Sequence, residues 1–425
     1  MTDYNTLGNK VRAGMITFSK KISHGFSKPA QRFIADMLVG IIGSNSSKLT
    51  KIGRELKEDI GLKKTVERLG RNLSGFSNAE QLTANYLAAV NPFLGPDTML
   101  LVDNGDVTKP CSPKMEGIGS VKDGSTGKFA DGYWTIGAVA LTSKSQQPIP
   151  VYEELYPCTK QGGAGFKVEA SKCLQYLREN YESSIPRVFD RGFDASDVIS
   201  ELIDRDEKFI LRVNQNRVVI HNGKRKYIND VVRGLVCENE LIFNSKTGNK
   251  SKCKIGMTQV TLPRLNNIKL TLVACKEFGE NPLVLYTNLP EPLEDLSVRI
   301  VKGFLMRWRI EEYHAFKKQG LNFEDFRVRS LNAIKTLDLL ITIAVGYIGM
   351  LCDKKDSKLV LELINVSKRI PKLHEYMKMT KFFFYSVLDG ITSVLSKLKK
   401  GISHFFLTPG SSNQLSIPWV GGFLG

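Results

Sequence analysis

At Asn91-Pro-Phe-Leu-Gly-Pro96 the hydrophobic period of this chain changes. Upstream, apolar residues recur at helical spacing. Downstream, they gather into short runs bounded by glycine and polar turns. Two prolines and a glycine within six residues mark the boundary. Helices first, then strands interleaved with helices, then helices again exclude a pure bundle or a pure sandwich. The order predicts an α+β or α/β fold with a mixed sheet flanked by helices. Upstream, Ala30 to Ile42 reads as a helix, and Leu49 to Glu58 and Leu62 to Leu73 as two shorter ones about a turn near Gly61. Such a pair fits a helix-turn-helix and equally a small helical bundle. Lys63, Lys64, Arg68 and Arg71 fall on or near the second of the two, as candidate DNA contacts.

Beyond the boundary, Thr98 to Val102 predicts a short strand ending at Asp103, followed by a glycine-rich turn region from Gly117 to Gly132. Strands are expected at Tyr133 to Thr142 and Ile149 to Tyr156, and a helix at Phe166 to Tyr181. A strand at Ile185 to Phe189 ends at Asp190, and a helix follows at Ala195 to Asp206. From Lys208 to Leu289 the chain is strand-rich, with turns at Asn222-Gly223 and Thr247-Gly248-Asn249. Leu296 to Gln319 predicts one long helix, and the chain is helical again to about Lys400, with a loop-like end from Ser411 to Gly425. The expected division is a helical DNA-binding region at 1–95, a core in two parts at 96–207 and 290–330, a β-rich insertion at 208–289 and a helical C-terminal region at 331–425. The apolar run from Leu339 to Cys352 is too short for a membrane span and reads as a buried core helix.

Charge narrows the partner. Sixty Lys and Arg against 43 Asp and Glu give a formal net charge of +17. A surplus of that size suits a polyanion, because each cation near a phosphate releases a counterion. The excess is spread along the chain, so a single basic arm does not account for it. The seven cysteines form no CxxC pair, and the five histidines lie far apart, which argues against zinc and for free thiols in a reducing cytoplasm. The polar amino-terminal residues read as having no cleavable signal.

Two aspartates, Asp103 and Asp190, end apolar strands, a rigid mount for a metal-binding carboxylate. Hard Mg²⁺ or Mn²⁺ takes carboxylate oxygens and leaves positions for water and phosphate. Phe304, Arg307, Glu311 and Lys318 lie at offsets 0, 3, 7 and 14, within roughly 60° of arc on a regular helix. That stripe suits a phosphodiester clamped by cations beside a metal, and it also suits a solvated face with an i, i+4 ion pair. Glu312 points about 100° away, which favours Glu311. Asp106 competes with Asp103 but lies three residues on, past Gly105, in the expected loop.

The chain resembles the DDE transposases of bacterial insertion sequences, in the branch with a β-rich insertion before the last acidic residue. The resemblance rests on Leu101-Val-Asp-Asn-Gly-Asp-Val-Thr-Lys-Pro110, Val188-Phe-Asp-Arg-Gly-Phe-Asp194, Tyr286-Thr-Asn-Leu289 and Phe304-Leu-Met-Arg-Trp-Arg-Ile-Glu311 through Lys318. Arg307, Glu311 and Lys318 match that branch's Tyr-x2-Arg-x3-Glu-x6-Lys motif in register, with Phe304 in place of the Tyr.

The resemblance spans about residues 98–325. It implies a ribonuclease-H-like core in which Asp103, Asp190 and Glu311 hold two Mg²⁺ or Mn²⁺ ions. Those ions would serve strand cleavage at transposon ends and strand transfer into target DNA. It also implies phosphate contacts by Arg307, Lys318 and Arg191, stacking or core packing for Phe304 and Trp308, and a homodimer on double-stranded DNA in the bacterial cytoplasm. A non-catalytic DNA-binding regulator and a nuclease without strand joining are the alternatives.

Overall fold

The computed structural model describes residues 3–158, 163–244, 250–290, 296–354, 357–367, 382–398 and 401. The expected turn at Thr247-Gly248-Asn249 and the end from Ser411 to Gly425 lie outside them. The side chains of 243–251 are likewise not described.

Five helices open the chain: α1 (Tyr4–Ile22), α2 (Lys28–Ser44), α3 (Leu49–Leu56), α4 (Leu62–Ser74) and α5 (Ala79–Val90). The Asp3 carboxylate caps α1 by accepting from the backbone of Asn5 and Thr6. Pro29 opens α2, where a missing N–H costs nothing. The short turn between α3 and α4 is closed by Glu58, whose carboxylate accepts from Arg32, Arg68 and Thr65.

The sheet begins with β1 (Leu100–Thr108), β2 (Gly119–Lys122), β3 (Phe129–Leu141) and β4 (Pro148–Tyr156). Then come α6 (Phe166–Asn180), β5 (Arg187–Phe189), α7 (Ser196–Asp204) and β6 (Phe209–Arg212). β3 runs antiparallel to both β1 and β4, while β5 lies parallel to β1 and β6 parallel to β5. The central order is therefore β4-β3-β1-β5-β6, a mixed sheet with helices flanking it. α+β is the fold class shown.

The strand-rich segment contributes β7 (Val218–His221), β8 (Lys224–Tyr227), β9 (Asn239–Asn244), β10 (Lys250–Leu262), β11 (Ile268–Lys276) and β12 (Leu283–Thr287). One short helix, α8 (Ile228–Gly234), interrupts it. These strands are continuous with the central ones, because β12 pairs antiparallel with β6. The described strands form one twelve-stranded sheet. Asn222-Gly223 turns the β7–β8 hairpin with both residues at positive φ, as that tight turn demands.

Two sequence expectations change here. β1 does not end at Asp103 but pairs with β3 as far as Thr108. Its pairing with β5 does stop there, with Val102 opposite Phe189. The long helix is broken into α9 (Leu296–Leu305) and α10 (Trp308–Ala315), and α10 runs into a π-helical turn at Phe316–Gly320. The break is made by tight i→i−3 bonds, from Arg307 N to Phe304 O and from Ile310 N to Arg307 O.

The chain continues with α11 (Leu331–Asp353), α12 (Lys358–Ser367) and α13 (Phe384–Ser396). Among the described residues α11 alone is long and apolar enough to cross a membrane. Of its apolar window, 89% is buried inside the protein, so it serves as a core helix, longer than the 14-residue run suggested. It packs on β4 on one side and on α2, α4, α5 and α13 on the others.

Candidate active site

The sheet geometry brings the two aspartates together. Val102 and Phe189 are the last opposed residues of the parallel β1–β5 pair, and each is followed by an aspartate. Parallel neighbours lie about 4.8 Å apart, so Asp103 and Asp190 stand side by side where β5 ends and β1 continues along β3. Past this point β1 keeps only its β3 neighbour, which opens the sheet edge beside both carboxylates.

α10 supplies the third carboxylate. Arg307 donates through Nη1 to Asp103 Oδ2 at 3.0 Å and through Nη2 to Glu311 Oε1 at 2.5 Å. One guanidinium thus spans strand and helix. It is 7% exposed and lies 5.9 Å from the Phe304 ring, which is itself buried. Burial works against the Arg307 charge, yet Asp103, Asp190 and Glu311 together hold its pKa above the ordinary value.

Asp103 answers in the other direction. Burial raises its pKa to about 6, against the pull of Arg307, and the charges of Asp190 and Glu311 add to the rise. Asp190 has Arg212 Nη1 at 3.6 Å, too far for a hydrogen bond, and its Oδ1 is buried without a hydrogen-bond partner. Such an oxygen is costly unless a cation or donor meets it. As the side chains stand, no group of three or more His, Cys, Asp or Glu among the described residues is close enough to hold a metal ion.

The competing carboxylates have other work. Asp106 accepts from Gly124 N at 3.0 Å and from Lys318 Nζ at 2.7 Å, further along β1. Glu312 accepts from Arg309 Nη1 at 2.8 Å. Lys318 sits in the π-turn, which shifts its phase. It is tied to Asp106 and, at 3.2 Å, to Glu324. The expected stripe therefore holds for Arg307 and Glu311, while Lys318 sits in a second polar cluster. Phe304 packs in the core, and Trp308 is 41% exposed.

The remaining cations are dispersed. Arg191 is exposed in the 3₁₀ turn after Asp190. Lys63, Lys64 and Arg71 lie on the exposed face of α4. Arg68 is paired within the protein, its guanidinium bonding Asp36 at 2.8 Å and Glu58 at 2.9 Å, with 26% of its side chain exposed.

His314 was not singled out from sequence. It follows Glu311 by one turn, and its ring lies 3.6 Å from where a Cβ on Gly105 would stand. Its Nε2 is buried without a partner. Burial, then the charges of Lys317 and Lys318, push its pKa down to about 3, so it is neutral. Its spacing from Glu311 was the available signal.

No family model matches the chain. Among solved structures it is similar to the cryo-EM structure of a piggyBac transposase synaptic complex with hairpin DNA. The identity is 9%, with 97% of this chain and 87% of that chain covered and a TM-score of 0.46. A likeness at that level leaves the function to be argued from the residues of the site.

Proposed function

We propose that this chain is a DDE transposase with a ribonuclease-H-like core, which cleaves DNA at transposon ends and joins the freed ends to target DNA. The observation that carries the reading is that Arg307 bonds Asp103 of the strand and Glu311 of its own helix, while Asp190 follows the last residue paired with β1 on the neighbouring strand. These acidic side chains are separated by 87 and 121 residues in the sequence, and like charges are brought near one another at a cost that a bound cation would offset.

The donor set suits a hard divalent cation. All three ligands would offer carboxylate oxygens, and Asp190 Oδ1, with Arg212 at 3.6 Å and no hydrogen-bond donor, keeps its lone pairs free for a cation. Asp103, Asp190 and Glu311 would hold Mg²⁺ or Mn²⁺, which when bound supplies Lewis acidity and an activated water for in-line displacement at phosphorus. The chain's own groups do the rest. The rigid β1–β5 pair fixes two carboxylates, and α10 presents the third. Arg307 sets a buried positive charge beside the reacting centre, where charge develops on phosphate oxygens. Lys318, Arg191, Lys63, Lys64 and Arg71 contact the DNA backbone, and two copies of the chain act on paired ends.

The test is Glu311→Gln, which keeps the size and removes the charge. Strand cleavage in Mg²⁺ is expected to vanish while duplex binding survives. Cleavage at the wild-type rate would remove Glu311 from the site. Pre-cut ends with a supercoiled target separate the classes: joined product marks a transposase, nicks alone a nuclease, and binding alone a regulator.

A further inference from the structure

A groove of about 620 Å³ opens where β1 runs out. Lys109, Lys114 and Cys111 line one wall, Phe326, Arg327 and Arg329 another, and Lys48 reaches in from the turn before α3. Its acidic groups are already answered. Asp325 pairs with Lys48 at 2.7 Å, and Glu324 accepts from Thr108 N and from Lys318. Lys109 is buried. Its ammonium donates to the carbonyls of Glu324 and Phe326 and lies 4.3 Å from the Phe326 ring, which locks the groove floor. Lys114, Arg327 and Arg329 are exposed, and no ion pair joins them to any described residue. The groove therefore presents uncompensated positive charge on a rigid base.

Its position relative to the carboxylates is set by the strand. Asp103 and Lys109 are six residues apart along nearly continuous β structure, about 20 Å at about 3.3 Å per residue. B-DNA advances about 3.4 Å per base pair, so for a duplex lying along β1 the groove stands about six base pairs from a bond cut at Asp103. Lys318 and Glu324 form the bridge between the two places, since Lys318 holds Asp106 of β1 and Glu324 of the groove together.

We infer that this groove binds the phosphodiester backbone of duplex DNA about half a helical turn from the scissile bond, with Lys114, Arg327 and Arg329 as the contacting cations. The inference rests on the reading of the chain as a DNA enzyme and adds a docking surface to it. The groove acts through phosphate, so it positions the duplex without reading its sequence.

Two measurements on the full chain test it, and both read binding, not cleavage. First, the salt dependence of duplex binding is compared between wild type and a Lys114→Ala, Arg327→Ala, Arg329→Ala triple variant. Each lost phosphate contact removes about 0.9 from the slope of log K against log salt, so the slope should fall by roughly 2 to 3. The three side chains are exposed, so thermal unfolding should be unchanged, and that is measured alongside.

Second, Cys111 is the one exposed thiol of the seven and sits on the groove wall. Saturating duplex should slow its alkylation severalfold, with the half-buried Cys237 as the reference thiol. An unchanged slope, or Cys111 alkylated at the free rate in the bound state, overturns the groove while leaving the carboxylate site standing. A wild-type chain that binds no duplex overturns both.

Discussion

Arg68 shows how a cation that reads as a DNA contact can be used inside the protein. Its partner Asp36 has a side chain 0% exposed, with Oδ2 facing Arg68 at 2.8 Å and Arg32 at 3.7 Å. The other oxygen is buried without a partner. Burial dominates and raises the Asp36 pKa to about 6, although Arg68 and Arg32 pull it down. An acid whose folded pKa lies above its unfolded value binds more protons in the folded state between the two. Its stabilising contribution is full below the ordinary value of 3.8 and is lost as pH rises through about 6. A gap of about two units corresponds to ~3 kcal/mol. Urea unfolding followed from pH 4 to pH 7 should show that decline in wild type, together with the one that Asp103 contributes over the same range, and Asp36→Asn should make it shallower. A variant that declines just as steeply would show that another group titrates there.

Secondary elements were legible in the sequence where the period was local and lost where the pairing was not. The strand leading to Asp103 and the strand leading to Asp190 were both read from their apolar runs. The continuation of β1 through Asp103-Asn-Gly-Asp106 was not, because nothing in those polar residues announces a strand and only β3 makes them one. The break at Met306 and Arg307 has no glycine or proline to signal it. The π-turn at Phe316–Gly320 was equally silent, and it separates two lysines that look alike in sequence. Lys318 stays at the rim with Asp106, whereas Lys317 goes inside. There it bonds Glu153 of β4 at 3.0 Å and Asp338 of α11 at 2.5 Å, all three side chains no more than 4% exposed. This triad fastens the π-turn, and with it α10, to sheet and core helix at once. Lys317→Met would strand two buried carboxylates and should cost about 3–5 kcal/mol in urea unfolding. Adding Glu153→Gln and Asp338→Asn should recover most of that loss. A single Lys317→Met variant of wild-type stability would mean the triad fastens nothing.

The whole molecule is held around α11, and one glycine shows how tightly. Gly346 of α11 faces Tyr86 of α5, and a Cβ placed there would come within 1.9 Å of the Tyr86 hydroxyl. That hydroxyl donates to Pro150 O of β4 at 2.7 Å. Helix α5 from the amino-terminal region, the core helix and the central sheet therefore meet at a single point. A single hydrophobic cluster also runs from Leu7 through the sheet to Leu398. The amino-terminal helices and the carboxylate-bearing sheet should then unfold as one body, so the exposed cations of α4 hold a fixed place relative to Asp103. Gly346→Ala must push Tyr86 aside, and overpacking of this kind costs about 1–3 kcal/mol. Tyr86→Phe loses only the hydrogen bond, about 1 kcal/mol. On a Tyr86→Leu background the ring and hydroxyl are gone, so adding Gly346→Ala should cost distinctly less than it does in wild type. Calorimetry is expected to show one transition in every variant, shifted downward as a whole. Two resolved transitions, with only one of them moved by Gly346→Ala, would mean that the helical region and the sheet fold apart and that the site's geometry does not extend to α4.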